Sequence, residues 1–334
     1  MTDHLPKLPR RQFLALAAGG IVLPTVSTTA RAEAFPTRPV TMIVPFVAGG
    51  PADVFGRIMA AAMAQQLGQS VIIENVGGAA GTVATGRVVR AAPDGYTLLV
   101  TPGLSTQVIN PAIYDLPFDT VKDFVPVALL TSISNIIVAK KTVPADDLKG
   151  LIAWLKANPS ALQATSGVGS VGHVAGVLFQ KETGTKYNFI PYHGLAPALQ
   201  DLIAGRVDLM IDVPLNSMPY VRDGTLKAYA VFAKKRMAFA PDIPTADEAG
   251  VPGLYVPNWY AIYAPKDTPA GIVDKLSTAA MAAVADPAVR KHLADLGHEI
   301  FPPEQQTPAG LDALQAADIA KWWPVIKAAN IKGE

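Results

Sequence analysis

The chain has 334 residues, half of them apolar and 16% charged, a balance that supports a large core and excludes a disordered polymer. Its formal net charge is +1, and no basic block follows the N-terminal segment, so it lacks the electrostatic footprint of a nucleic-acid binder. It has no cysteine, which excludes disulfides, thiol catalysis and cysteine-ligated metal.

Arg10 and Arg11 precede an apolar stretch at residues 15–26, diluted by Gly19, Gly20 and Pro24, and then Ala30-Arg31-Ala32. Paired arginines, a short apolar run and a small-x-small ending make residues 1–32 an expected twin-arginine signal peptide, cleaved after about Ala32. The run is shorter than the roughly 20 residues that cross a bilayer, which argues against an anchor. Removing residues 1–32 takes away Lys7, Arg10, Arg11 and Arg31 against Asp3, so the charge of +1 becomes −2. The mature chain is expected to be a soluble, monomeric periplasmic protein.

Beyond the signal, short apolar strands alternate with longer amphipathic segments. Residues 40–46 predict a strand, and residues 53–67 a helix with Phe55, Ile58, Met59, Ala62 and Met63 at helical spacing, closed by Gly68. A strand at 71–73, a helix at 81–91, the turn Pro93-Asp94-Gly95 and a strand at 96–101 follow. This β-α-β-α-β order implies a parallel sheet with helices on both faces. A second unit repeats the logic. It has strands at 136–139, 162–165, 188–191, 207–213 and 226–233, with a helix capped by Asp146 or Asp147 and others at 173–183 and 195–204. Helices at 269–285, after Asp286-Pro287 and at the C-terminus close the chain. Extended stretches at 132–140 and 227–234 are candidate crossings. They divide the α/β chain into a first lobe, 33–134 plus 235–334, and an inserted second lobe, 135–234, joined by a two-strand hinge.

Four loops could carry chemistry. The loop with Phe46, Val47, Ala48, Gly49 and Gly50 leaves a strand and opens a helix, where bare amides and a helix N-terminus favour an anion. Asp53 reads more readily as the N-cap of that helix than as a ligand contact. The loop Thr165-Ser166-Gly167-Val168-Gly169-Ser170-Val171-Gly172 matches a dinucleotide fingerprint, but no acid closes the following strand, so a nucleotide is not expected. What remains is a set of amides and hydroxyls that suits a carboxylate. Loops at 75–81 and 101–106 also lie at the carboxyl ends of predicted strands, where ligands bind open α/β sheets. Catalytic arrangements are missing: there is no Gly-x-Ser-x-Gly, no His-Glu-x-x-His and no phosphate-binding Gly-Lys-Ser/Thr loop. No metal and no cofactor is expected. Ser170 and His173 form the sole nearby nucleophile–base candidate, without an orienting third group. Trp259 reads as core or as the cleft rim.

The chain resembles the Bug-type, TctC-like receptors of tripartite tricarboxylate transporters. The resemblance rests on Val44-Pro45-Phe46-Val47-Ala48-Gly49-Gly50 with Asp53 and Arg57, Pro93-Asp94-Gly95-Tyr96-Thr97-Leu98, Gly169-Ser170 with His173, Pro191-Tyr192-His193-Gly194, and Pro241-Asp242-Ile243-Pro244-Thr245, among other stretches from 36 to about 331. It implies a type II periplasmic binding protein fold, two Rossmann-like lobes joined by two crossover strands with a cleft between them. It further implies an extracytoplasmic solute-binding protein, not an enzyme, that hands a small carboxylate to membrane subunits of such a transporter. Carried over by motif, the contacts fall on Phe46, Ala48, Gly49, Gly50, Asp53, Gly78 and Ser105 in the first lobe. In the second they fall on Thr165, Ser166, Gly169, Ser170, His173 and Asp212. Val76-Gly77 stands where the family commonly has Arg-Pro, His193 where a lysine is common and Ala48 where a proline is common. These departures leave a dicarboxylate and an aromatic acid both open, the latter beside Phe46, Tyr192 and Trp259. The rival readings are a receptor that signals to a membrane sensor and an exported hydrolase.

Overall fold

The first strand, β1 (Val40–Val44), is β-branched and almost wholly buried. These coordinates are those of a computed structural model, which describes residues 35–333; the expected signal peptide lies outside the described residues. β1 leads into α1 (Pro51–Leu67), whose Phe55, Met59 and Met63 recur every four residues and are fully buried. Each such side chain contributes about 1.5–3 kcal/mol on burial. Pro51 opens the helix and a left-handed Gly68 ends it. β2 (Val71–Asn75), α2 (Thr82–Val89) and β3 (Thr97–Pro102) follow. A π-type turn at Leu104–Ile109 runs into α3 (Asn110–Ile113), and then comes β4 (Phe124–Ser134).

Asn135 alone separates β4 from β5 (Ile136–Lys140), which belongs to a different sheet. That sheet is built with α4 (Leu148–Ala157), β6 (Leu162–Thr165), α5 (Val171–Thr183), β7 (Asn188–Pro191), α6 (Leu195–Ile203), β8 (Leu209–Asp212), α7 (Pro214–Arg222) and β9 (Leu226–Val231). Its order is β7-β6-β8-β5-β9, with β6 parallel to β7 and β8, and β5 antiparallel to β8 and β9. The chain then returns through β10 (Pro257–Pro265), α8 (Ala270–Ala285), α9 (Pro287–Asp295), β11 (Glu299–Ile300) and α10 (Pro308–Ala328). The first sheet therefore runs β11-β4-β10-β3-β1-β2.

The parallel first sheet expected from the sequence is in fact mixed. β1 pairs in parallel with β2 and β3, but β10 inserts between β3 and β4, antiparallel to both. The crossings are also sharper than expected. Stretch 132–140 breaks at Asn135 into strands of two sheets, and 227–231 stays within β9. Three backbone segments are tied at the crossing. Phe232 N donates to Asn135 O at 2.8 Å, Val256 N to Phe232 O at 3.0 Å, and Asn135 Nδ2 to Val256 O at 2.9 Å.

Trp259 belongs to the core and not to a cleft rim. It is fully buried in β10, its indole Nε1 donates to Asp318 Oδ2 at 2.7 Å, and its ring lies against Gly103. A Cβ on Gly103 would stand 1.7 Å from a ring carbon. His298 is buried against Phe55 and Tyr260 with its Nδ1 2.9 Å from the Thr131 hydroxyl. Burial pushes its pKa down to about 4.

Two outcomes follow from this packing. Gly103→Ala is expected to cost about 1–3 kcal/mol through overpacking against Trp259; an unchanged urea midpoint would show that the ring yields freely. For His298, the unfolded chain takes up a proton near pH 6.5, whereas the folded chain resists until about pH 4. Stability is therefore whole above pH 6.5 and falls through that window, by up to about 3 kcal/mol. Urea titrations at pH 7 and pH 4.5 on the wild type and His298→Gln measure this, the variant being the less pH-sensitive of the two.

Candidate functional site

Two glycine loops end strands and open helices, and both are closed by the same local device. In the first, Gly50 is the N-cap of α1, in extended conformation and without a side-chain cap bond. Asp53, three residues into the helix, is not the N-cap that the sequence suggests. Its Oδ2 accepts the amide of Gly49 at 2.8 Å and Arg57 Nε at 3.0 Å, while Arg57 Nη2 lies 3.0 Å from Oδ1 at ion-pair distance without hydrogen-bond alignment. Burial raises the Asp53 carboxyl, but the Arg57 hydrogen bond and charge, the Gly49 amide and Asn75 outweigh it and hold it below the ordinary value. Arg57 also reaches Asn75 Oδ1, and Asn75 Nδ2 donates to Phe46 O at 3.1 Å, so both ends of the loop are tied.

In the second loop Ser170 caps α5 and its Oγ accepts the His173 amide at 3.3 Å. His173, again three residues into the helix, accepts the amide of Gly169 on Nδ1 at 2.9 Å. The ring is held edge-on to Phe189, and burial lowers its pKa, which favours the neutral acceptor form. Both partners thus bond to backbone amides, and this is not the arrangement of a nucleophile and its base. Thr165 is buried, with its hydroxyl donating to Gly167 O at 3.3 Å, and Ser166 is half-buried.

The predicted residues fall into two groups. Phe46, Ala48, Gly49, Gly50, Asp53, Gly78 and Ser105 gather at the carboxyl ends of β1, β2 and β3. There the Gly77 backbone meets the Val47 side chain, and Gly81 lies against Pro45 and Thr106. Within the described residues the amides of Val47 and Ala48 make no hydrogen bond, whereas that of Gly49 is consumed by Asp53. Gly78, Ala79, Ala80 and Gly81 all have positive φ, two of them alanines, and Asn110 Nδ2 secures the Ala80 carbonyl at 2.8 Å. No sequence signal marked Ala79 or Ala80, since alanine is not a left-handed residue by preference. The other group is Thr165, Ser166, Gly169, Ser170 and His173, with Asp212 on the neighbouring strand. The second group touches the part of the chain that follows β3 through Gly169, where a Cβ would stand 2.0 Å from Ile113 Cδ1 in α3.

Asp212 ends β8 and is 1% exposed. Burial raises its pKa to about 6, against the pull of Asn216, the Val213 amide and Ser217. Asn216 Nδ2 donates to Oδ1 at 3.2 Å, and Oδ2 has no partner among the described residues. Ser217 Oγ lies close enough to influence the acid but outside hydrogen-bond geometry, and is itself buried and unpartnered. Of the aromatic candidates, Tyr192 gives its hydroxyl to Asp201 at 2.8 Å and His193 is exposed. A cavity of about 540 Å³ opens between α5 and residues 329–332, with Val168 and His173 in its wall. No trio of His, Asp or Glu able to hold a metal occurs among the described residues, and no described helix is long and apolar enough to cross a membrane.

Comparison with known proteins adds the following. The family model described as "Tripartite tricarboxylate transporter family receptor" matches residues 55–331. The UPF0065 protein in the TAR-I ttuE-ttuC' intergenic region of Agrobacterium vitis is 38% identical over 322 residues, covering 96% of this chain and 92% of that one. The structure of the periplasmic binding protein BugD is 37% identical with a TM-score of 0.79, covering 90% of this chain and all of that one. MatC from Rhodopseudomonas palustris, solved with bound malate, is 41% identical with a TM-score of 0.79, covering 87% and 100%.

The matched acceptors give a direct test of the loops. Asp53→Ala and His173→Ala are each expected to cost about 1 kcal/mol of stability, as the loss of a helix cap does. Hydrogen exchange at Gly49 in the first variant and at Gly169 in the second should quicken relative to the rest of the chain. Unaltered protection at both glycines would mean that these bonds do not hold the loops.

Proposed function

Since the chain belongs to the tripartite tricarboxylate transporter receptor family, we propose that it captures a small carboxylate in a cleft between two lobes and delivers it to the membrane subunits of a tripartite tricarboxylate-type transporter. Its relatives are solute-binding receptors, and it is a receptor and not an enzyme. The fold is that of the periplasmic binding proteins it matches. The observation that carries the reading is the pair of glycine loops at the N-termini of α1 and α5, braced alike, the second of them packed at Gly169 against Ile113 of α3.

The chemistry of capture follows from these loops. Unpaired amides at Val47 and Ala48, with the hydroxyls of Ser105, Ser166 and Ser170, can donate to carboxylate oxygens. Two helix dipoles add partial positive charge without a lysine or arginine in the loops. Closure excludes water, so each charge-assisted hydrogen bond contributes about 1.5–3 kcal/mol. Four or five of them, less ordering and desolvation costs, accord with roughly micromolar affinity, about −8 kcal/mol. We take the lobes as 33–134 with 235–334, and 135–234, hinged where Asn135, Phe232 and Val256 are tied. A monomer exported by a twin-arginine signal and cleaved after about Ala32 is the form in which this receptor would act in the periplasm.

Calorimetric titration of the mature protein with mono-, di- and aromatic carboxylates tests the reading. At least one acid is expected to bind with a dissociation constant on the order of micromolar. Absence of heat with every carboxylate, alongside binding of an uncharged solute, would overturn it.

A further inference from the structure

We propose that the cavity between α5 and the C-terminal tail is a second ligand site, which takes an aryl carboxylic acid and steadies the second glycine loop through His173. The cavity measures about 540 Å³, within the range of small-molecule sites. Of the residues placed at the capture site only His173 lines it, and no residue of the first loop does. Its walls are fixed on both sides. One is the first half of α5. On the other, Ile331 is buried with its amide donating to Ile326 O at 3.2 Å, and Gly333 N donates to Ile113 O at 2.9 Å. Ile113 also packs against Gly169, so the tail, α3 and the second loop close a frame around the cavity.

The chemistry of the walls selects the occupant. Val168, Val177, Phe189 and Ile331 present apolar surface, and the Phe189 ring suits an aromatic body. The polar groups are mainly donors. Because Nδ1 of His173 accepts the Gly169 amide, the neutral ring carries its proton on Nε2. That N–H has no partner among the described residues and is not sealed from solvent. Lys332 is exposed at the tail and forms no ion pair among the described residues. No acidic side chain of the described residues lines the cavity. An apolar floor, a neutral N–H in the wall and a cation at the edge together match a carboxylate carried on a ring. A carboxylate that accepts the Nε2 proton makes Nδ1 the stronger acceptor, as carboxylates do for metal-bound histidines. Occupancy therefore tightens the bond that holds Gly169. Because linkage is reciprocal, a ligand ordering the same loop from the cleft favours the cavity in turn.

The test is titration of the mature protein with 3-phenylpropionate at neutral pH, followed by backbone amide NMR. The amides of Val177, Gln180, Phe189 and Ile331 are expected to shift together, and exchange at the Gly169 amide to slow. Val47 and Ala48 report the capture site separately, so either reading can fail alone. 3-Phenylpropionamide, which keeps the ring and loses the charge, should bind about ten-fold more weakly. Lys332→Ala, a change at an exposed position, should weaken the acid about two- to five-fold. Val177→Phe, which fills the cavity, should abolish the shift at Ile331; if that variant does not fold, the amide and Lys332→Ala still decide. Stationary amides at Val177, Gln180, Phe189 and Ile331, or equal binding of acid and amide that Lys332→Ala leaves unchanged, would overturn the inference.

Discussion

The site depends on one interaction made twice: a side chain three residues into a helix accepts the amide of the glycine that precedes the helix cap. Asp53 holds Gly49 and His173 holds Gly169. Each bond closes a turn of five residues around a backbone with positive φ, a conformation that glycine enters without a steric penalty. Each also withdraws one amide from the pool that a ligand can use. The loops are therefore not simply bare backbone. They are shaped by side chains, and an ordered loop loses less freedom when a ligand arrives.

The two braces differ in charge, and that difference polarises the cleft. Asp53 places a carboxylate in the first turn of α1, where it favours the helix but opposes a bound anion; Arg57 offsets it from the exposed side. α5 has no acidic residue in its first turn, and its brace is an imidazole kept neutral by burial. The positive end of that helix stays uncompensated. In the proposed complex the charge of the ligand is best met at α5, while the first loop contributes mainly amide geometry.

Much of this was legible in the sequence, and the rest was not for identifiable reasons. β6 and β7 fall where local pattern predicts them, and Asp147 caps α4 as its type and place suggest. The glycine loops are visible because strand, glycine and helix follow one another within ten residues. β10 was hidden: it begins and ends with proline, and its only partners are strands far away in the chain. Missing it made the first sheet look parallel. Aspartate commonly caps a helix, which favours Asp53 in that role from sequence, yet Pro51 sets the helix start two residues earlier. The unpaired oxygen of Asp212 has no local signature at all. It shows only in the groups that surround the side chain once β8 and α7 are folded.

Gly169 shows why the glycines of the second loop are not interchangeable with other flexible residues. Its φ of 73° suits glycine, and its missing side chain also admits Ile113 from the π-turn region of the first sheet. Gly49 meets only the first of these demands, since open space surrounds the position where its Cβ would stand. A substitution at Gly49 would therefore strain one loop. A substitution at Gly169 would strain its loop and also push against the other half of the molecule. The second loop is thus coupled to the approach of the two sheets, and the hydrogen bond from Gly169 to His173 ties that coupling to the start of α5. Shape, charge and closure meet on the same four residues, Gly169 to Gly172, more closely than anywhere on the first loop.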